Sequence, residues 1–113
     1  MSDFNKVLLS GRLTSKPEFK KLGNDNNVAS FSLASKRIFN SNGEKREETT
    51  FVDIDLFGNS AKAIAEYGDT GRDIFIEGRL KLDKWKDKES GQKRSKLFVI
   101  AENFKFLDSP KGN

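Results

Sequence analysis

TTFVDIDLFG, residues Thr49–Gly58, alternates strictly between two kinds of side chain. Val52, Ile54 and Leu56 fall on one face of an extended chain, and Phe51, Asp53, Asp55 and Phe57 on the other. This pattern predicts a half-buried β-strand with its aliphatic residues inward. The outward face is unusual, because a solvated face has no need of two phenylalanines. At about 3.3 Å per residue the two rings stand roughly 20 Å apart. Exposed rings at that spacing are platforms for flat partners, of which nucleic-acid bases are the commonest.

Other strands follow on either side. Asn5–Leu13 sets Val7, Leu9, Gly11 and Leu13 against Lys6, Leu8, Ser10 and Arg12, giving a first strand. Pro17 and the polar cluster Lys20–Asn27 read as a loop. Val28–Phe39 is the second strand, with Ala29, Phe31 and Leu33 in step, and the turn signal NSNG (Asn40–Gly43) makes a hairpin with the third, Lys45–Phe57. Ser60–Tyr67 predicts one short helix, capped by Asn59 or Ser60, striped by Ala61, Ile64 and Ala65, and ended by Gly68. At about two turns it is stable only as a plug against a sheet. Asp73–Trp85 is the fourth strand, with Ile74, Ile76, Gly78, Leu80 and Leu82 expected inside; Lys86–Arg94 is a charged hairpin tip and Ser95–Leu107 the fifth strand.

Five strands with a helix between the third and fourth is the order of an all-β OB-fold, a small Greek-key barrel. Gly11, Gly58 and Gly78 lie where its strands must bend. The expected organisation is one domain over residues 1–107 and a short disordered tail over 108–113. Phe31, Phe75, Phe98, Phe104 and Phe106 read as core or interface.

Composition narrows the chemistry. The chain has neither cysteine nor histidine, so it lacks thiolate and imidazole metal ligands, a cysteine nucleophile and Ser-His catalysis. No cofactor and no catalytic residue is expected. A reducing compartment fits, no apolar run is long enough to span a membrane, and MSDFNKVLLSGRL does not read as a signal peptide. The formal charge is +4, and Arg72–Lys96, with nine basic and five acidic residues (9 − 5 = +4), carries a charge equal to that of the whole chain. Such a segment is an electrostatic footprint for an anion or else a solvated hairpin, and the aromatic residues decide between these.

Phe51, Phe57 and Trp85 all fall on non-core phases of their strands, and Phe39 ends the second strand beside Lys36 and Arg37. Phe39 reads equally well as a residue that closes the barrel. Lys36, Arg37, Arg79, Lys84, Lys86 and Arg94 lie around the rings and suit phosphate oxygens. Rings interleaved with cations on a curved sheet form a groove for an unpaired strand, since a duplex hides its base faces.

The blocks NKVLLSGRLTSKPEFK, VASFSLASKRIF, EETTFVDIDLFGNSAKAIAEY, IFIEGRLKLDKW and FKFL resemble, in order, those of the bacterial single-stranded DNA-binding protein family. The resemblance covers about Asn5 to Leu107. It implies an OB-fold, a homotetramer or a dimer of two-domain chains, and a cytoplasmic place at the nucleoid or replication forks of a bacterium or its phage. It matches the family's base-stacking aromatics to Phe39, Phe51, Phe57 and Trp85, and several phosphate contacts to Lys6, Lys62, Arg72 and Arg79.

Three departures stand out. Tryptophan is frequent in the family where this chain has Phe39 and Phe51. A basic residue is frequent where it has Asp53, which with Asp55 puts two carboxylates between the rings and should repel phosphate. The glycine- and glutamine-rich linker with an acidic tip, through which relatives recruit other proteins, is not in the sequence, so recruitment by that route is not expected.

Two other readings compete. Asp53 and Asp55 form a D-x-D pair that could hold Mg²⁺ for phosphodiester cleavage, although no third carboxylate or base accompanies them. Alternatively, the OB module could take a protein of a replication or replication-restart complex against Phe51 and Trp85.

Overall fold

The computed structural model describes residues 2–24 and 26–108. Its elements are β1 (Val7–Leu13), β2 (Glu18–Lys21), β3 (Asn27–Ser41), β4 (Glu44–Phe57), α1 (Asn59–Tyr67), β5 (Asp73–Lys86) and β6 (Lys93–Phe106). The sheet order is β1-β5-β6-β4-β3-β2, and β1 also pairs with β3 through Arg12↔Ala34 and Leu13↔Leu33. That second pairing closes five strands into a barrel. All neighbours are antiparallel except β4 and β6, which run parallel over only Ile54–Leu56 and Val99–Ala101. This is the OB-fold topology expected from the order of elements.

The predicted inward phases fill the barrel. Leu13, Leu33, Ile54, Leu56, Ile64, Ile74, Ile76 and Val99 are its largest fully buried side chains, and Ala29 and Phe31 join them. Burying each large aliphatic side chain contributes about 1.5–3 kcal/mol, so this cluster dominates stability. Phe98 is buried, while Phe104 and Phe106 pack against the core edge-to-face with centroids 5.3 Å apart. Phe75 is half-buried.

β2 is an addition to the predicted elements. Sequence alternation cannot reveal a four-residue strand with a single apolar residue, Phe19, yet Glu18–Lys21 pairs with Asn27–Ser30 and Phe19 packs on the core. Leu80 and Leu82 are a correction. They keep the inward phase but are 44% and 48% exposed, because β5 continues past the barrel as one side of a two-stranded arm. β3 and β4 form a second arm, paired as far as Ser41↔Glu44 and closed by Asn42 and Gly43, both at positive φ, as a two-residue hairpin turn requires.

Helix α1 plugs the barrel with Ala61 and Ile64 and packs on β2, β3 and β4. Neither Asn59 nor Ser60 caps it. Gly58, at φ 94°, takes the N-cap position with its carbonyl accepting from Ala61 N. Gly68 ends the helix in an extended conformation, and its N–H donates to the Ile64 carbonyl at 2.8 Å. At the other end of the sheet, Asn5 acts as an extra ladder rung. Its side-chain amide donates to Leu80 O at 2.8 Å and accepts from Leu80 N at 2.9 Å.

Two glycines permit the curvature. A Cβ on Gly11 would lie 2.6 Å from the Ala34 carbonyl oxygen, where β1 crosses to β3. A Cβ on Gly78 would run into the Ile100 carbonyl, beside the bulge where the β5–β6 register shifts. Backbone cannot yield as a flexible side chain can. Gly78→Ala is therefore expected to cost about 2–3 kcal/mol, measured by urea unfolding, whereas Gly91→Ala at the exposed hairpin tip should cost about 1 kcal/mol.

Candidate nucleic-acid interface

The alternation in β4 controls what its outer face presents. Val52, Ile54 and Leu56 turn inward, while Phe51 is 68% exposed and Phe57 43% exposed. Across the β5–β6 ladder, Asp83 lies opposite Lys96 and Trp85 opposite Arg94, so these four share one face. Lys96 Nζ reaches Asp53 Oδ2 at 3.0 Å, which joins that face to the Phe51–Phe57 face of β4. Arg79, opposite Ile100, stands on the same face toward the Phe57 end. Phe51, Phe57 and Trp85, the last 48% exposed, thus belong to one surface running over β4, β6 and β5. By register, the buried Phe98 and Ile100 lie along its floor.

Phe39 is placed differently. On β3, Ala34 pairs with Phe51 and Lys36 with Thr49, so both share the face of Phe51, whereas Arg37 and Phe39 have the opposite phase. The Phe39 ring is half-buried, and the Arg37 guanidinium carbon lies 4.6 Å from its centroid. One ring face is therefore already occupied by a cation.

The predicted cations divide by what holds them. Lys6 binds Glu77 at 2.7 Å, and that hydrogen bond holds its pKa above the usual lysine range against a smaller opposing effect of desolvation. Lys36 pairs with Glu47 at 3.1 Å, Arg37 with Glu48 at 3.6 Å and Arg79 with Glu102 at 3.3 Å. Arg94 binds Asp87 at 3.1 Å. Asp87 is held below the usual carboxylate range chiefly by the Glu89 backbone N–H, with Arg94 assisting. Lys62, Lys84 and Lys86 make no ion pair among the described residues. Lys62 lies on α1 beside a hollow of about 320 Å³ with Phe19, Ala65 and Glu66. Lys84 and Lys86 join Trp85, Lys93, Arg94 and Ser95 around an open cleft of about 520 Å³ on the β5–β6 arm.

Arg72 is tied into the scaffold. Its Nε donates to Asp108 at 3.0 Å, Nη1 donates to the Tyr67 carbonyl at 2.7 Å, and its guanidinium carbon lies 3.6 Å from the Phe106 centroid. Asp108, assigned to the tail by sequence, is half-buried in this clamp, while the rest of the predicted tail, 109–113, lies outside the described residues. The Arg72 hydrogen bond draws the Asp108 carboxyl below its ordinary 3.8. Its contribution is therefore complete above that value and is lost as pH falls through the lowered one.

The two carboxylates between the rings are not bare. Lys96 covers Asp53, and Ser30 Oγ donates to Asp55 at 2.7 Å. Nothing in the sequence singles out Lys93 or Lys96. Lys93 sits in a charged tip like any solvated loop, and the partner of Lys96 is 43 residues away in the chain.

A closed OB barrel with exposed rings and cations along one face defines a class of single-strand binders. Residues 4–107 match the Single-strand binding protein family, and the chain belongs to that family. It is 42% identical to the single-stranded DNA-binding protein of Helicobacter hepaticus over 97% of this chain and 65% of the relative. Identity to the Wolinella succinogenes protein of the same name is 43%, over 94% of this chain and 65% of that one. The Aquifex aeolicus protein is 39% identical, with 96% of this chain and 73% of the relative covered. The chain thus spans about two thirds of these relatives' length. In three dimensions it is similar to the Plasmodium falciparum protein in complex with single-stranded DNA, with a TM-score of 0.84 and 30% identity over 96% of this chain and 98% of that one.

Because Arg72 serves the fold, Arg72→Ala should lower the melting temperature by roughly 5 °C, the shift expected of about 1 kcal/mol in a domain of this size. Lys84→Ala, at a site with no ion pair among the described residues, should leave it unchanged. Differential scanning calorimetry of both variants at pH 7 checks the contrast.

Proposed function

We propose that the chain is a non-catalytic protein that binds single-stranded DNA irrespective of sequence and protects it during replication, recombination and repair. The observation that carries this reading is the exposure of Phe51, Phe57 and Trp85 on one continuous face beside Arg79, Arg94 and Lys96. Leaving three rings in water is unfavourable for a barrel that has already filled its core, and a base laid on each ring recovers about 1–3 kcal/mol. Arg94 takes a phosphate beside Trp85, and Lys84 and Lys86, of the opposite phase, take them from the edge of the same cleft. Lys36 and Arg79 take them nearer the barrel, with Lys6 close to Arg79 by way of Glu102. Arg37 takes one on the reverse of the β3–β4 arm, where Phe39 stacks a base on its other face, and Lys62 takes one on α1. Arg72 acts mainly by fixing the scaffold. The DNA partner is supported by the named relatives and by the single-stranded DNA of the structural neighbour.

Residues 1–107 form one binding domain. Self-association, as a homotetramer or as a dimer, is supported by Leu80, Leu82 and Leu97, which share one phase of the β5–β6 arm and are 44%, 48% and 61% exposed. A second copy is the natural cover for such a patch. No helix among the described residues is long and apolar enough to cross a membrane. The working place proposed is the cytoplasmic nucleoid or replication fork of a bacterium, or of a cell infected by its phage.

Trp85 is the only tryptophan, so its fluorescence reports this site directly. Oligo-dT should quench it, and log K should fall with log salt at about −0.7 per phosphate contact, or about −4 for roughly six contacts. Trp85→Ala, followed by anisotropy of labelled oligo-dT, should weaken binding by about 1–3 kcal/mol with an unchanged circular dichroism spectrum. Absent quenching or a flat salt response would refute the reading and favour a protein partner. Sedimentation with and without oligo-dT gives the subunit number.

A further inference from the structure

The Asp53–Lys96 pair lies where the two arms part. β4 and β6 are paired only over Ile54–Leu56 and Val99–Ala101, so Asp53 is the first β4 residue beyond that contact. Lys96 reaches it from β6 at 3.0 Å, with the two side chains 55% and 52% exposed. Across β6, Lys96 faces Asp83, whose own carboxylate lies 3.7 Å from Lys81. Along β6 the next residue on the same face is Arg94, opposite Trp85, and along β4 the next on the same face from Asp53 is Phe51. Lys96 therefore stands between the two most exposed rings of the surface, at the head of the gap between the arms.

We propose that Lys96 is a phosphate-binding residue of the single-strand channel, held at its centre by Asp53. The inference rests on the binding function proposed above and adds to it a contact and its positioning residue. An ammonium group has three N–H donors, and the bond to Asp53 uses one, leaving two for a phosphate oxygen. An exposed pair of this kind contributes at most about 1 kcal/mol to the fold, so a phosphate can share or displace it at little cost. The same geometry removes the objection that Asp53 repels the backbone. Its charge is cancelled from the neighbouring strand, and the strand that cancels it delivers the cation to the middle of the channel.

The test compares Asp53→Asn with Asp53→Asn/Lys96→Ala, because both lack the carboxylate and differ only in the ammonium. Oligo-dT affinity is measured by anisotropy from 0.05 to 1 M NaCl, with unfolding curves confirming that each variant is folded. Loss of one contact should make the salt slope shallower by about 0.7. With affinities equal at 1 M, that corresponds to about fivefold weaker binding at 0.1 M. Lys96→Arg should keep the slope of the unsubstituted chain, and Lys20→Ala, on the exposed β2 strand, should not change it. For the role of Asp53, Asp53→Asn should improve binding more in the Lys96→Ala chain than in the unsubstituted one, since only in the latter does it also release Lys96. Equal gains would overturn the positioning role, and equal slopes with and without Lys96 would overturn the contact itself. If the unsubstituted chain does not bind oligo-dT, the binding function fails and this proposal with it.

Discussion

Strand length is the constraint on which the rest of the structure depends. β3, β4, β5 and β6 are 14 or 15 residues long, yet β4 and β6 need only three residue pairs to close the barrel between them. The excess cannot stay in a barrel whose diameter is set by five strands. It leaves as two antiparallel arms, and a two-stranded arm has no second layer to cover its faces. Leu82 and Leu97 keep the inward phase and are exposed for that reason, whereas Phe51 and Trp85 carry the outward phase of the barrel onto the arms. Gly78 and Gly11 serve the same end. One admits the bulge at which β5 turns toward its arm, and the other lets β1 approach β3 closely enough to seal the seam.

Charge is distributed with a comparable economy. Most basic side chains on the face of Phe51 and Trp85 are paired with a carboxylate, which keeps a domain of net charge +4 from presenting a wide field of unscreened cations. Exposed pairs of this sort contribute little to stability and weaken in salt. They therefore act as reversible holders that keep lysine and arginine tips in place without fixing them there. Arg72 shows the contrast. Its partners are a carboxylate, a main-chain carbonyl and an aromatic face together, and such a residue is part of the scaffold.

Much of this was legible in the sequence because short-range alternation determines it. The phase of Thr49–Gly58 separates Ile54 and Leu56 from Phe51 and Phe57 without reference to any other strand, and the Asn42-Gly43 turn fixes the register of the hairpin that carries them. What was not legible depends on partners far along the chain. β2 forms because β3 offers it an edge, not because EFKK is a strong strand. Leu80 and Leu82 keep their phase while losing their cover, since alternation reports which face a side chain takes and not whether anything lies above it. Asp53 looks repulsive until β6 brings Lys96 alongside.

Phe39 carries the consequence furthest. Register puts it and Arg37 on the reverse of the arm that carries Phe51 and Lys36. A single strand that stacks on both rings cannot lie flat along one face. It must pass round the edge or tip of a ribbon about 5 Å wide between strand axes, with Arg37 already seated over the ring it meets on the far side. The geometry that exposes the rings therefore also shapes the path between them. Phe51, Phe57 and Trp85 can be served by one shallow track, whereas any use of Phe39 requires the strand to wrap.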